Sequence, residues 1–224
     1  MKGTARATSL LICCCWCAVS TDSGASTDRP SARQVLSKLQ SRYDRIESFS
    51  ADFTQVYRGH NVEQRESGVL IMAKPGKMYW EYRHPTHKVF VSNGKKAYFY
   101  VPRDRQVMET DLQSRQEGTP LLFLLGQGNL LADFEPSFEE QEKPVKVTNL
   151  FLRLTPRGPQ GEFSRLLLEI DPATYFIYRL SVIEWIGNRT DYILTNVREN
   201  IRVPRKRFRF KIPSGTEVIR QQWN

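Results

Sequence analysis

The hydrophobic period of this chain changes near Ile46, and that change decides its structural class. Before it, Ala32, Val35, Leu36, Leu39, Tyr43 and Ile46 recur at three- and four-residue steps, with Arg33, Lys38, Arg42 and Arg45 elsewhere on the surface. That pattern predicts an amphipathic helix capped by Ser31. After it, Phe49, Ala51, Phe53, Gln55 and Tyr57 alternate with Ser50, Asp52, Thr54 and Val56, the period of a strand with one covered face. Strand-like runs follow at Gly68 to Ala73, Lys77 to Tyr82, Lys88 to Ser92, Lys96 to Val101 and Gln106 to Glu109. They are separated by Lys74-Pro75-Gly76, His84-Pro85, Ser92-Asn93-Gly94 and Pro102-Arg103-Asp104, all turn chemistry. The expectation is an antiparallel meander with a helix to lie on it.

The middle of the chain interrupts this rhythm. Thr119-Pro120 opens Leu121-Leu122-Phe123-Leu124-Leu125, and Gly126 closes it. A short helix that is apolar nearly all round must be covered. Asn129 to Phe134 reads as a second short helix, and Glu135 to Lys143 as a solvated acidic loop. Strands are expected again at Val145 to Thr148, Phe151 to Thr155, Arg165 to Asp171, Ile177 to Ile186, Thr190 to Arg198 and Arg207 to Ile212. A single sheet of about eleven strands accumulates right-handed twist and curls. The fold class predicted is mainly β: a partly closed antiparallel barrel whose concave face is covered by helices.

The four cysteines (Cys13, Cys14, Cys15, Cys17) all lie near the N-terminus, within an apolar run from Leu10 to Val19 that follows Lys2 and Arg6. With small residues at Ala18, Ser20, Gly24 and Ala25, this reads as a secretory signal over residues 1–25, ahead of a single domain at 26–224. A metal site is disfavoured because no cysteine lies downstream. A lipoprotein signal is disfavoured because Leu10-Leu11-Ile12 precedes Cys13 and Cys15-Trp16 precedes Cys17, where small residues are wanted. The net charge is +9. Its excess sits in the tail: Arg198, Arg202, Arg205, Lys206, Arg207, Arg209, Lys211 and Arg220 stand against Glu199 and Glu217.

Catalytic constellations are not found. There is no G-x-S-x-G, no H-E-x-x-H and no phosphate loop, and His84-Pro85-Thr86-His87 reads as a polar turn. No enzyme activity, metal or cofactor is expected. Arg205-Lys206-Arg207-Phe208-Arg209-Phe210-Lys211 interleaves cations with aromatics as a nucleic-acid platform does. Strand alternation, with Phe208 and Phe210 inward, accounts for it more simply. An exported protein with a basic face meets acidic partners or anionic headgroups, not nucleic acid. Met78, Trp80 and Tyr82 share a strand face, Tyr98 and Tyr100 share another, and Trp185 falls in a late strand. Periodicity does not distinguish a filled core from a lipid-binding pocket lined by these side chains.

Five segments together resemble the LolA family of outer-membrane lipoprotein carriers. They are Ser48-Phe49-Ser50-Ala51-Asp52-Phe53-Thr54-Gln55 after the helix, Lys74 to Tyr82, Ser92-Asn93-Gly94-Lys95 with Tyr98 to Pro102, Thr119 to Leu122, and Phe208 to Thr216. The resemblance runs from about Ser31 to Val218. It implies an unclosed β-barrel with a helical lid over a hydrophobic cavity. The implied role is a monomeric periplasmic shuttle, taking acylated lipoproteins from an inner-membrane ABC transporter to an outer-membrane acceptor.

On that resemblance Leu39, Tyr43, Phe53, Met78, Trp80, Tyr82, Phe90, Tyr98, Tyr100 and Trp185 are expected to line the cavity. Leu121, Leu122, Phe123 and Leu125 are expected in the lid. Lys74 stands where members often have an arginine that closes the lid, and it keeps the charge without the planar fork. Two other readings stay open: a lipid-anchored acceptor of the LolB type, and a periplasmic sensor module on the same barrel.

Overall fold

The computed structural model describes residues 29–112, 128–158 and 163–221. The signal expected over 1–25 and the apolar helix expected at Thr119 to Gly126 lie outside the described residues.

Helix α1 (Ala32–Arg45) begins at a capping box, in which the Ser31 side chain accepts from the Gln34 amide and Gln34 accepts from the Ser31 amide. Its buried stripe is Val35, Leu36, Leu39 and Tyr43. Strands β1 (Ser48–Gly59), β2 (Val62–Ala73), β3 (Lys77–His84), β4 (Lys88–Asn93), β5 (Lys96–Val101) and β6 (Gln106–Asp111) form the expected meander. Helix α2 (Leu130–Asp133) precedes β7 (Phe134–Phe138), β8 (Leu150–Pro156), β9 (Phe163–Ile170), β10 (Ile177–Glu184), β11 (Arg189–Glu199) and β12 (Glu217–Gln221). All twelve lie in one sheet, ordered β12-β6-β5-β4-β3-β2-β1-β11-β10-β9-β8-β7. Pairing is antiparallel except between β12 and β6. The sheet does not close, since its two edges are β12 and β7.

The inner face carries the main core. Phe49, Ala51 and Phe53 of β1, Leu70 and Met72 of β2, Met78 and Trp80 of β3, and Leu166, Leu168 and Leu180 of β9 and β10 pack with the α1 stripe. Each fully buried large side chain contributes about 1.5–3 kcal/mol. α1 lies against β7 and α2. The Leu130 amide donates to Gln40 Oε1 at 3.0 Å, joining the two helices.

Several expectations are corrected. Phe134 to Phe138 is a strand, added at the edge beside β8, and not the end of a helix with an acidic loop. Val145 to Thr148 is irregular, and Arg207 to Ile212 is not a strand: Arg205–Phe208 forms a 3-10 turn and extended chain follows. The late strand ends at Glu184, because Gly187, at φ 89°, turns the chain between β10 and β11. The Gly187 amide donates to the Glu184 carbonyl at 3.1 Å within this turn.

Two segments cover the outer face. Over β8–β11 the loop 139–149 is held by ion pairs and buried polar groups. Arg153 pairs with Glu139, and Arg189 with Glu142 at 2.5 Å. Buried Glu169 accepts from the Val145 amide at 2.7 Å, Asn149 at 2.9 Å and Arg179 at 2.7 Å. Of the acidic residues expected to face water, Glu139 and Glu142 are therefore bound to the sheet, while Glu140 is exposed. Over β3–β5 runs the segment 201–213, with Phe208 buried and Phe210 against Tyr98 and Tyr100.

Candidate functional site

Side chains directly opposite one another in an antiparallel pair stand on the same face, so register assigns each expected wall residue to a side. Ala51, Leu70, Trp80, Phe90 and Phe99 form one continuous inner row across β1 to β5. The next row is Phe53, Gly68, Tyr82 and Lys88. Gly68 matters here. A Cβ at this position would sit 1.8 Å from the Glu81 carbonyl oxygen, so only glycine lets β3 approach. With no side chain between them, Phe53 and Tyr82 meet edge to face at 5.0 Å across the intervening strand. Phe53 also meets Trp80 at 4.9 Å, and Trp80 meets Tyr192 at 5.8 Å.

Phe53, Trp80, Tyr82, Met78 and Phe90 thus share the inner face, with Leu39 and Tyr43 brought over them by α1. The Trp80 ring is buried, and its indole N–H has no hydrogen-bond partner among the described residues. Tyr43 receives the Ile177 amide on its hydroxyl at 3.3 Å, and burial raises its pKa. A polar margin borders the aromatics. The Tyr82 hydroxyl donates to Gln55 Oε1 at 2.9 Å, Lys88 pairs with Glu66, and the Lys88 ammonium lies 4.7 Å from the Tyr82 ring centroid. Burial, and secondarily Glu66, pushes the Tyr192 hydroxyl up to about 12. Burial does the same for Tyr82, with Tyr192 and Glu66 adding to it. Both phenols stay neutral, as an apolar wall requires.

Three expected wall residues are elsewhere. Tyr98 pairs with Val91, and Val91 with Tyr79, so this row and Tyr100 face outward. Both tyrosines are occupied by Phe210, at 5.4 and 5.6 Å between ring centroids. Even spacing puts Tyr98 and Tyr100 on one face but does not say which. Trp185 sits in the β10–β11 turn and is 69% exposed, because the strand ends one residue before it.

Phe99 and Tyr192 belong to the inner face, and sequence reasoning missed both. The signal for Tyr192 was its two-residue spacing from the core residue Leu194; for Phe99 it was the pairing register, which sequence alone does not supply.

Lys74 donates to the Asp44 carbonyl at 3.2 Å and also to the Tyr43 carbonyl. It thereby binds the C-terminal carbonyls of α1, where a cation is favoured. Arg42 of the same helix pairs with Glu199. The expected lid residues Leu121, Leu122, Phe123 and Leu125 lie outside the described residues.

Among the described residues no three His, Cys, Asp or Glu side chains gather as a metal site. No described helix is long and apolar enough to cross a membrane. An aromatic, glycine-spaced inner wall with neutral phenols is suited to holding something apolar.

Residues 44–211 match the family model described as outer membrane lipoprotein carrier protein LolA. The chain belongs to the LolA family. A curated outer-membrane lipoprotein carrier protein of Legionella pneumophila (strain Corby) is 30% identical over 185 residues, 82% of this chain and 88% of the relative. One from Chromohalobacter salexigens is 31% identical over 186 residues, 82% and 86% of the two chains. Among solved structures, an uncharacterized conserved protein from Thermus thermophilus shares the fold, with a TM-score of 0.53 at 11% identity, over 84% of this chain and all of that one. The LolA match ends at Lys211, so β12 lies beyond it.

Proposed function

We propose that this chain is a periplasmic lipoprotein chaperone, exported by a cleaved signal, that holds the acyl chains of its cargo against the inner aromatic wall. The observation that carries this reading is the continuous inner surface of Phe53, Trp80, Tyr82 and Phe90 on a chain of the LolA family. Its relatives named as outer-membrane lipoprotein carriers support the class of cargo.

The chemistry is physical transfer, not catalysis. Burying acyl carbon releases about 0.8 kcal/mol per CH₂, so a long chain carries on the order of 10 kcal/mol and does not leave into water unaided. Release therefore needs a second apolar site, which fits handover from an inner-membrane ABC transporter to an outer-membrane acceptor. In this reading Leu121, Leu122, Phe123 and Leu125 close over the wall, and the Trp80 N–H, unpartnered among the described residues, donates to an acyl carbonyl. Lys74 acts by fixing the C-terminal end of α1, the helix whose stripe covers the wall. Moving α1 or the lid uses part of the binding energy, which keeps net affinity within reach of transfer.

Co-expression with an epitope-tagged lipoprotein, followed by native mass spectrometry, tests the proposal. A soluble one-to-one complex is expected with acylated cargo and none with cargo whose acylated cysteine is replaced. Binding of both forms, or of neither, contradicts it. Free lipid in place of lipoprotein supports the sensor reading.

A further inference from the structure

The segment over β3–β5 differs from a neutral cover. Between Glu199 and Glu217 the chain has no acidic residue, and it has six cations: Arg202, Arg205, Lys206, Arg207, Arg209 and Lys211. All six are exposed. Arg207 lies over the Tyr79 ring at 5.0 Å. None of the six makes an ion pair among the described residues, although twelve ion pairs of Arg or Lys are formed elsewhere among them. Their position is fixed from below. Phe208 is buried and Phe210 stacks on Tyr98, so Arg209 between them is held outward, with Arg207 and Lys211 flanking the two anchors. Next to Lys211 in the chain, Ile212 is 40% exposed.

We propose that this segment is a docking surface for membranes bearing anionic phospholipid headgroups. Charge complementarity calls for a polyanion. Six cations within ten residues carry more charge than one phosphate neutralises. Four of the six are arginines, whose planar fork suits phosphate oxygens. An exposed isoleucine, Ile212, next to unpaired cations adds an apolar group of the kind a membrane interface accommodates. The segment is the outermost layer of an outward face, so a planar surface reaches it without rearrangement. It lies on the side of the sheet opposite the aromatic wall, and vesicle binding and cargo binding therefore succeed or fail independently.

Sedimentation of the signal-cleaved chain with vesicles tests this. Binding is expected to phosphatidylcholine vesicles containing phosphatidylglycerol, to be absent with phosphatidylcholine alone, and to be lost at ~0.5 M salt, where screening is short-ranged. The variant R205Q/K206Q/R209Q/K211Q is expected to bind roughly tenfold or more weaker. The variant R33Q/R65Q/R83Q/R165Q, which has the same net charge, is expected to bind nearly as the parent. Thermal melts confirm that both are folded. Absence of binding to anionic vesicles at low salt overturns the proposal, as does equal loss in the two variants. Capture by an immobilised acidic protein without vesicle binding reassigns the surface to a protein partner and equally overturns it.

Discussion

Strands β3 and β5 carry aromatic side chains on both faces of the sheet and β4 carries Phe90 on the inner one, and the two faces are covered in different ways. Outside, Tyr79, Tyr98 and Tyr100 are occupied by Arg207 and Phe210 of the chain's own C-terminal segment. Inside, Trp80, Tyr82 and Phe90 meet one another, the β1 and β11 aromatics, and the helices. The outer cover is continuous with the sheet through β12, which pairs with β6 along its length. The inner cover is helical and joined to the sheet largely by side chains such as Lys74 and Arg42. Aromatic content alone therefore does not identify a binding surface. What matters is whether the covering element can leave without breaking backbone pairing.

The two faces should respond differently to truncation. Trp80→Ala is expected to have the largest effect, costing about 3–5 kcal/mol of stability and abolishing cargo retention; Trp80→Phe, which removes the N–H and keeps an aromatic ring, should retain the fold and hold cargo less tightly. Denaturant unfolding together with cargo co-purification reads both. Phe208→Ala should cost about 3 kcal/mol while the molecules that remain folded retain cargo as the parent does. Loss of retention without loss of stability in that variant would erase the distinction between the faces.

Asp191 sharpens the comparison on the outer side. Burial raises its carboxyl pKa, but hydrogen bonds from Ser181, Arg189 and Arg58 outweigh burial and hold it below the usual carboxylate range. A depressed folded pKa means that this stabilisation is present above the unfolded value, near about 3.9, and is lost as pH falls below it. Asp191→Asn is expected to cost about 2 kcal/mol at neutral pH and to flatten the acid limb of the stability profile. An unchanged acid limb would show that the network does not titrate as a unit. Trp185→Ala, at an exposed turn, should change stability by no more than about 0.5 kcal/mol and leave cargo retention unaltered.

Much of this was legible in the sequence, for physical reasons. The period change at Ile46, the Ser31 cap and the turn residues from Lys74 to Asp104 are local signals, and α1 and β1–β6 appear where those signals place them, except that β2 begins at Val62, six residues before the expected run, because its polar first half pairs with the end of β1. Phe53, Met78, Trp80 and Tyr82 fell on the inner face because they belong to runs whose apolar partners share their parity, whereas Phe90 is placed there by its pairing with Trp80. Tyr98 and Tyr100 did not, because β5 is apolar on both faces and only its pairing with β4 decides which row faces in. The role of Glu142 was hidden for a related reason: its partner Arg189 is 47 residues away. Segment 201–213 alternates as a strand does, yet Pro204 removes a backbone donor and the Arg205–Phe208 turn interrupts it.

The central claim is that acyl chains lie against the inner face of these strands. A photo-crosslinking side chain placed in turn at Phe90 and Val91, adjacent residues of β4 that face opposite sides, tests it most directly in cells expressing a tagged lipoprotein. The account predicts a crosslink to acylated cargo from position 90 and none from 91. Crosslinking from 91, or equally from both, would contradict it.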